Sequence, residues 1–383
     1  MEKNSYEKSI IDSNYCFILG TRAELIKTAP VMRELNYRKI PYYFISTGQH
    51  DLETVCNTFM VKCPDVVLSP PPEKSSKFNS NKKKALWWNF TMYFKIQRAM
   101  KKLKNVKYVL YHGDTMTTCT TSIALSWLFY PLRKWKNVHL EAGLRSFDWK
   151  EPFPEEISRV IADRFSDILF VPSDLSMKHL KRYKKDKYKV GNTIIDSATY
   201  AMDIVNHKGV KMKPVGEYML VTIHRHENIK SKERMTNIVD VLKNVKQLTY
   251  FMVHSNTRKK LEEFNLWHHL VDNENVILCE PVEYSNFLYF IASGRCKAVI
   301  CDGGSMQEEC LLFKVPCIIL RKKTERQEGC ETGWQYLTEV DPIHIENAID
   351  YYWSEKHLKE HPNPINPYGK VGVSKKIIDI LEK

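Results

Sequence analysis

The chain has 383 residues, 43% of them hydrophobic, enough to bury two cores of ordinary domain size and too many for an intrinsically disordered protein. Its formal charge of +13, from 58 Lys and Arg against 45 Asp and Glu, favours anionic partners without choosing among nucleic acid, a membrane surface and a phosphorylated metabolite. Ten cysteines with no Cys-x-x-Cys pair argue against a disulfide framework and structural zinc, and for a reducing compartment.

Residues 14–20 predict a short buried strand, stopped by Gly20-Thr21-Arg22. Residues 23–36 predict a helix, with Leu25, Ile26, Ala29, Met32 and Leu35 at helical spacing. Strand-like runs recur at 41–46, 65–69, 106–112, 137–141, 167–171, 218–223, 249–253, 275–279, 297–301 and 316–320, with helical patterns between most of them. Such alternation predicts βαβ units and mainly parallel sheets; eleven strands exceed one comfortable sheet, so two doubly wound domains are expected. The Pro- and Lys-rich insertion at 70–84 predicts an exposed loop. The basic run Lys178 to Lys189 reads as a solvated helix face in preference to a nucleic-acid patch, since no nucleic-acid motif accompanies it. The expected division is 1–186 for the first domain, with a C-terminal helix at about 368–383 packing back on it, and 187–367 for the second. No run is long enough to span a bilayer, and the first apolar run, Tyr15 to Leu19, is too short for a signal peptide. A cytoplasmic protein is expected.

The chemistry centres on residues 139–163. Glu141-Ala142-Gly143 leaves a strand, and Pro152 and Pro154 stiffen the loop that follows. Pro154 fits the first helical position, so Glu155 and Glu156 fall in a first turn. Asp114 follows the strand that ends at Tyr111-His112; taken alone it reads better as a helix cap than as a catalyst. Yet Asp114, Glu141 and Glu155 all follow strand ends of one predicted sheet and can share its rim. Gly20 to Lys27 sets a glycine turn and two cations, Arg22 and Lys27, at a helix start suited to an oxyanion. In the second half, His224-Arg225-His226 follows a strand, and Asp302-Gly303-Gly304-Ser305 joins a strand to a helix in a way that suits close approach to a diphosphate. Glu308 or Glu309, one turn on, suits ribose hydroxyls. Neither a P-loop nor a G-x-G-x-x-G fingerprint is present, so ATP and NAD are unsupported.

Taken together, these blocks resemble the non-hydrolysing UDP-N-acetylglucosamine 2-epimerase family. The resemblance covers about residues 14–340 and rests on blocks in the family's order: Gly20 to Lys27, Thr47-Gly48-Gln49-His50, His112 to Thr115, 139–163, Gly191-Asn192-Thr193, Thr222 to Asn228, Asp302 to Glu309 and Thr324-Glu325-Arg326. It implies an α/β chain of two Rossmann-like domains facing across a cleft, the GT-B fold, working as a homodimer without metal or cofactor. It also implies that Arg22, His224, Arg225, Gly303, Gly304, Ser305 and Arg321 surround the UDP diphosphate and Glu309 the ribose. Asp114, Glu141, Glu155, Lys27 and His224 would serve the chemistry, and Gln49 and His50 a regulatory UDP-sugar site. The implied reaction converts UDP-N-acetylglucosamine to UDP-N-acetylmannosamine through UDP and 2-acetamidoglucal. The chain departs from the family at Ala23 and Gln327, where proline is usual, and in reading Asp-Gly-Gly-Ser where Asp-Ser-Gly-Gly is usual. Competing readings are a hydrolysing epimerase, a GT-B glycosyltransferase, a related UDP-diacetamido sugar as substrate, and a basic polyanion-binding protein.

Overall fold

The computed structural model describes residues 12–70, 82–149, 154–210 and 212–383. Contacts divide the chain into two units: Met1–Leu144 with Phe153–Ser197 and Gly372–Lys383, and Arg145–Pro152 with Ala198–Val371.

The first unit is built on seven parallel strands: β1 (Tyr15–Leu19), β2 (Tyr42–Ser46), β3 (Val66–Val67), β4 (Tyr108–His112), β5 (Lys136–Leu140), β6 (Ile168–Val171) and β7 (Asp186–Lys189). Their spatial order is β3-β2-β1-β4-β5-β6-β7. The second unit holds six: β8 (Tyr218–Ile223), β9 (Thr249–Val253), β10 (Val276–Cys279), β11 (Cys296–Cys301), β12 (Cys317–Ile319) and β13 (Gln335–Leu337), in the order β10-β9-β8-β11-β12-β13. The central strands are short apolar runs buried on both faces, as helix-covered parallel strands must be; every residue of β1 and β8 is buried. In each sheet the winding reverses between the first strand and the fourth, so β1 lies beside β4 and β8 beside β11. Ligands of open α/β sheets gather at the carboxyl ends of strands at such a switch point. Each unit is therefore Rossmann-like.

All eleven predicted strands are present, and two more appear at sheet edges. β7 is Asp-Lys-Tyr-Lys and mostly exposed, so it carries no apolar signal; β13 has three residues. β7 also corrects two expectations. It pairs with β6, so the first unit runs past residue 186, and the division falls within the Ile194–Lys208 helix, at Ser197. The basic run is only partly helical: the Asp174–His179 helix ends inside it, and an edge strand closes it. Of the loop expected at 70–84, residues 71–81 lie outside the described residues, and from Lys82 the chain is helical to Met100. Pro152 likewise lies outside the described residues.

The last helix, Val373–Leu381, belongs to the first unit and packs on the Arg22–Tyr37 helix. Asp196 accepts from the Gly372 and Ser374 amides, each at 2.7 Å, which satisfies donors that a helix start leaves open. Arg38 binds Asp379 at 2.6 Å, and Tyr15 donates its hydroxyl to Glu382. Among the described residues, no helix is long and apolar enough to cross a membrane.

Candidate functional site

At the switch point of the first sheet, the turns after β1, β2 and β4 meet. A Cβ on Gly20 would lie 2.2 Å from Thr117 Oγ1 and 2.4 Å from Thr47 Oγ1, so only glycine admits this approach. The two threonine hydroxyls bond each other at 2.7 Å. Just before the Arg22–Tyr37 helix, the chain's own Glu24 accepts from the Gly20 and Thr21 amides at 2.8 and 2.7 Å. Arg22 turns its Nε to the Asp51 carbonyl at 3.0 Å. His50 is built into the same turn, its amide donating to the Gly20 carbonyl at 2.9 Å and its Nδ1 accepting from the Arg22 amide at 3.4 Å. Gln49 Oε1 lies 2.9 Å from the place a Gly20 Cβ would take.

After β4, the helix cap is Thr115, whose hydroxyl accepts from the Thr118 amide, so the cap that Asp114 suggests when taken alone is not made. Asp114 is left to take a hydrogen bond from Arg159, a guanidinium only 2% exposed that also lies 3.5 Å from Glu156. The Asp114 carboxylate itself stays 26% exposed, open enough to meet a ligand. His139 pins the backbone just before it: Nε2 meets the Gly113 carbonyl at 2.8 Å, and Nδ1 meets Asp163 at 2.8 Å.

Glu141 sits in the turn leaving β5 with φ +65°, a left-handed conformation uncommon outside glycine. Its carboxylate receives Lys27 Nζ at 2.6 Å and Asn192 Nδ2 at 2.7 Å. The structure thus joins Lys27 and Glu141 directly, one strand away from Asp114. Glu155 heads the Glu155–Phe165 helix, four residues before Arg159 and on the same side of it. Pro154 is the cap of this helix, one position earlier than expected.

His112, the last residue of β4, lies 3.9 Å from Glu141 and is buried. Burial pushes its imidazole down to about 3, with Glu141 opposing. An unfolded histidine takes up a proton below about 6.5. Because the folded one does not, stability falls as pH drops through that window, by up to about 1.4 kcal/mol per pH unit. His112→Asn is expected to flatten this dependence. Urea midpoints at pH 7, 6 and 5 check it: parallel slopes in wild type and variant would show that His112 does not titrate as described.

The second sheet repeats the arrangement with a different charge. Asp302, fully buried after β11, accepts from the amides of His224 at 3.1 Å and Arg225 at 3.0 Å and from Asn228 Nδ2 at 3.1 Å. One carboxylate therefore locks the β8 and β11 turns together. His224 keeps its ring 44% exposed, with Nδ1 3.4 Å from Asp302 and His254 beside it. Gly303 caps the Gly304–Leu312 helix, with Ser305 half-buried in its first turn. The glycine at 304 answers to protein packing: a Cβ there would lie 2.8 Å from Arg326 Nη1. Arg326 binds Glu325 and Glu308, the latter at 3.1 Å. Glu309 accepts from the Tyr284 hydroxyl at 2.6 Å. Arg321 pairs with Glu325 at 2.9 Å, Arg225 with Glu227 at 3.1 Å, and both arginines line a small pocket with Arg234, Lys322 and Lys323.

Sequence reasoning placed Glu24, Asn192, His139 and Asp163 of the first unit and Arg326 of the second inside matching blocks but gave none of them a role or a partner. Only Glu24 left a local signal, the Thr-x-x-Glu spacing of a capping box at Thr21-Arg22-Ala23-Glu24.

Comparison with known proteins follows the same lines. The family model described as UDP-N-acetylglucosamine 2-epimerase matches residues 33–382. The UDP-N-acetylglucosamine 2-epimerase of Methanocaldococcus jannaschii is 33% identical over 380 residues, covering 95% of this chain and 97% of its own. The crystal structure of the UDP-GlcNAc 2-epimerase from that organism, in complex with UDP-GlcNAc and UDP, superposes with a TM-score of 0.80 at 31% identity, over 96% of this chain and 99% of the other. That from Neisseria meningitidis, bound to UDP-GlcNAc, gives 0.79 at 26% identity with the same coverage.

Proposed function

This chain belongs to the UDP-N-acetylglucosamine 2-epimerase family, an isomerase family, and from that membership we propose that it inverts C2 of UDP-N-acetylglucosamine without net hydrolysis. The C2 hydrogen has no adjacent carbonyl to acidify it, so its removal depends on departure of the group at C1. A carboxylate takes the proton from C2, the C1–O bond breaks with its electron pair going to the UDP oxygen, and C1=C2 forms in 2-acetamidoglucal. UDP oxygen then re-forms the bond to C1 while a second acid returns a proton to the opposite face of C2. Two separately controlled carboxylates are required, each held without being consumed as a helix cap.

The observation that carries this reading is the pair Asp114 and Glu141. They stand on adjoining strand ends, each with its own cation, Arg159 and Lys27. Glu155 is the further acid, at the head of the Arg159 helix. We assign stabilisation of the departing diphosphate to Arg225, Arg321 and the His224, Gly303-Gly304-Ser305 turn, and the ribose to Glu309. Charge developing on the leaving group is where oriented N–H groups and cations act most strongly.

The test is an NMR time course of UDP-N-acetylglucosamine with the protein in deuterated water. Expected are UDP-N-acetylmannosamine and deuterium at C2 of both sugars, with free UDP reaching a low plateau. Unlimited release of UDP and N-acetylmannosamine would make the enzyme a hydrolysing epimerase. Folded protein giving neither product nor deuterium uptake would refute the proposal.

A further inference from the structure

Glu24 is a buried carboxylate that the proposed reaction does not use, yet it touches two turns that carry proposed site residues. On one side, Oε2 accepts from the Gly20 amide at 2.8 Å and the Thr21 amide at 2.7 Å, with the Thr21 hydroxyl at 3.1 Å. On the other, Oε1 accepts from the Thr115 hydroxyl at 2.5 Å. The Thr118 hydroxyl lies 3.1 Å from the same oxygen, and at 2.6 Å from the His112 carbonyl it gives its single proton there. The first turn leads into Arg22 and Lys27, and the second begins one residue after Asp114. A capping box alone needs only the Thr21 side of these contacts. The reach across to Thr115, 91 residues further along the chain, is additional. Both oxygens already accept from protein donors and the residue is only 2% exposed, so the role assigned to Glu24 is to hold these turns.

We infer that Glu24 is a positioning residue of the site: its one carboxylate staples the Gly20–Arg22 turn to the Thr115 turn and so fixes Lys27 and Arg22 relative to Asp114. The inference rests on the proposed function for its kinetic consequence only. A displacement of about 1 Å between reacting groups can cost on the order of a hundredfold in rate. Loss of the staple therefore acts on kcat. Glutamine at this position keeps the volume but offers a single acceptor oxygen for two sets of donors.

The experiment compares wild type with Glu24→Gln, Thr115→Val, Thr115→Ser and the double variant Glu24→Gln/Thr115→Val. Three readouts are taken: kcat and KM for UDP-N-acetylglucosamine, melting temperature, and hydrogen exchange by mass spectrometry. Expected for Glu24→Gln is a kcat about ten- to a hundredfold lower, KM within about threefold, and faster exchange in two separate peptides, 19–25 and 111–119. Thr115→Ser retains both hydroxyl contacts and is expected to behave as wild type. The double variant is expected to be no slower than the worse single one, because both remove the same link. Faster exchange in 19–25 alone would reduce Glu24 to a helix cap and overturn the inference, as would an unchanged kcat in folded Glu24→Gln. Should wild type fail to turn over the sugar nucleotide, the functional reading falls; the two-peptide exchange result still decides whether the staple exists.

Discussion

Glu141→Gln is expected to lower kcat by about a hundred- to ten-thousandfold, the range that a positioned acid or base contributes. The amide fills the same space and still presents an oxygen to Lys27 and Asn192, so KM should change by less than about fivefold. Its charge is gone, however, and Lys27 loses the partner it holds at 2.6 Å. Breaking a largely buried pair from one side costs up to about 3–5 kcal/mol. Because Lys27 keeps some solvent contact, the lower part of that range is expected in urea unfolding. Steady-state NMR kinetics in deuterated water provide the check. A kcat within threefold of wild type, with deuterium still entering C2, would remove Glu141 from the reaction and leave it as a counter-ion for Lys27.

Asp302→Ala should have the largest effect in the second unit. The substitution removes the acceptor of the His224 and Arg225 amides and one of the two acceptors of Asn228 Nδ2, which keeps the Leu320 carbonyl at 2.9 Å. A buried donor left without an acceptor costs about 1–3 kcal/mol, so a loss of about 3 kcal/mol is expected. The same carboxylate sets the spacing between the His224 turn and the Gly303-Gly304 turn, so UDP affinity should fall at least tenfold in a calorimetric titration. Asp302→Asn, which keeps one acceptor oxygen, is expected to lie between. Large destabilisation with an unchanged UDP dissociation constant would show that Asp302 frames the fold and not the ligand site.

What could be read from the residues alone divides along physical lines. Strands buried on both faces announce themselves as apolar runs, so β1, β8 and their neighbours were legible. The edge strand Asp186–Lys189 was not, because exposed edges are made of the residues that water tolerates. Asp114 looked like a cap because it opens a helix; only the structure shows the neighbouring Thr115 in that role, which releases the carboxylate to Arg159. The glycines at 303 and 304 suggested a ligand approaching the backbone. On the protein side, Gly304 is approached most closely by the Glu325–Arg326 pair, more than 20 residues away in sequence, a contact that no local spacing reports. Partners such as His139 with Asp163, or Asn192 with Glu141, join segments through the sheet order, and no spacing rule reports them.

The docking of Val373–Leu381 on the first unit has a consequence for synthesis. The first unit stays incomplete while the whole of Ala198–Val371 is being translated, and only then does its final piece emerge. At about 5–20 residues per second, that interval lasts roughly ten to thirty-five seconds. Throughout it, the surface that Val373, Ile377, Ile378 and Leu381 will cover stays bare on a nascent chain, a natural foothold for chaperones and a weak point if the ribosome stalls.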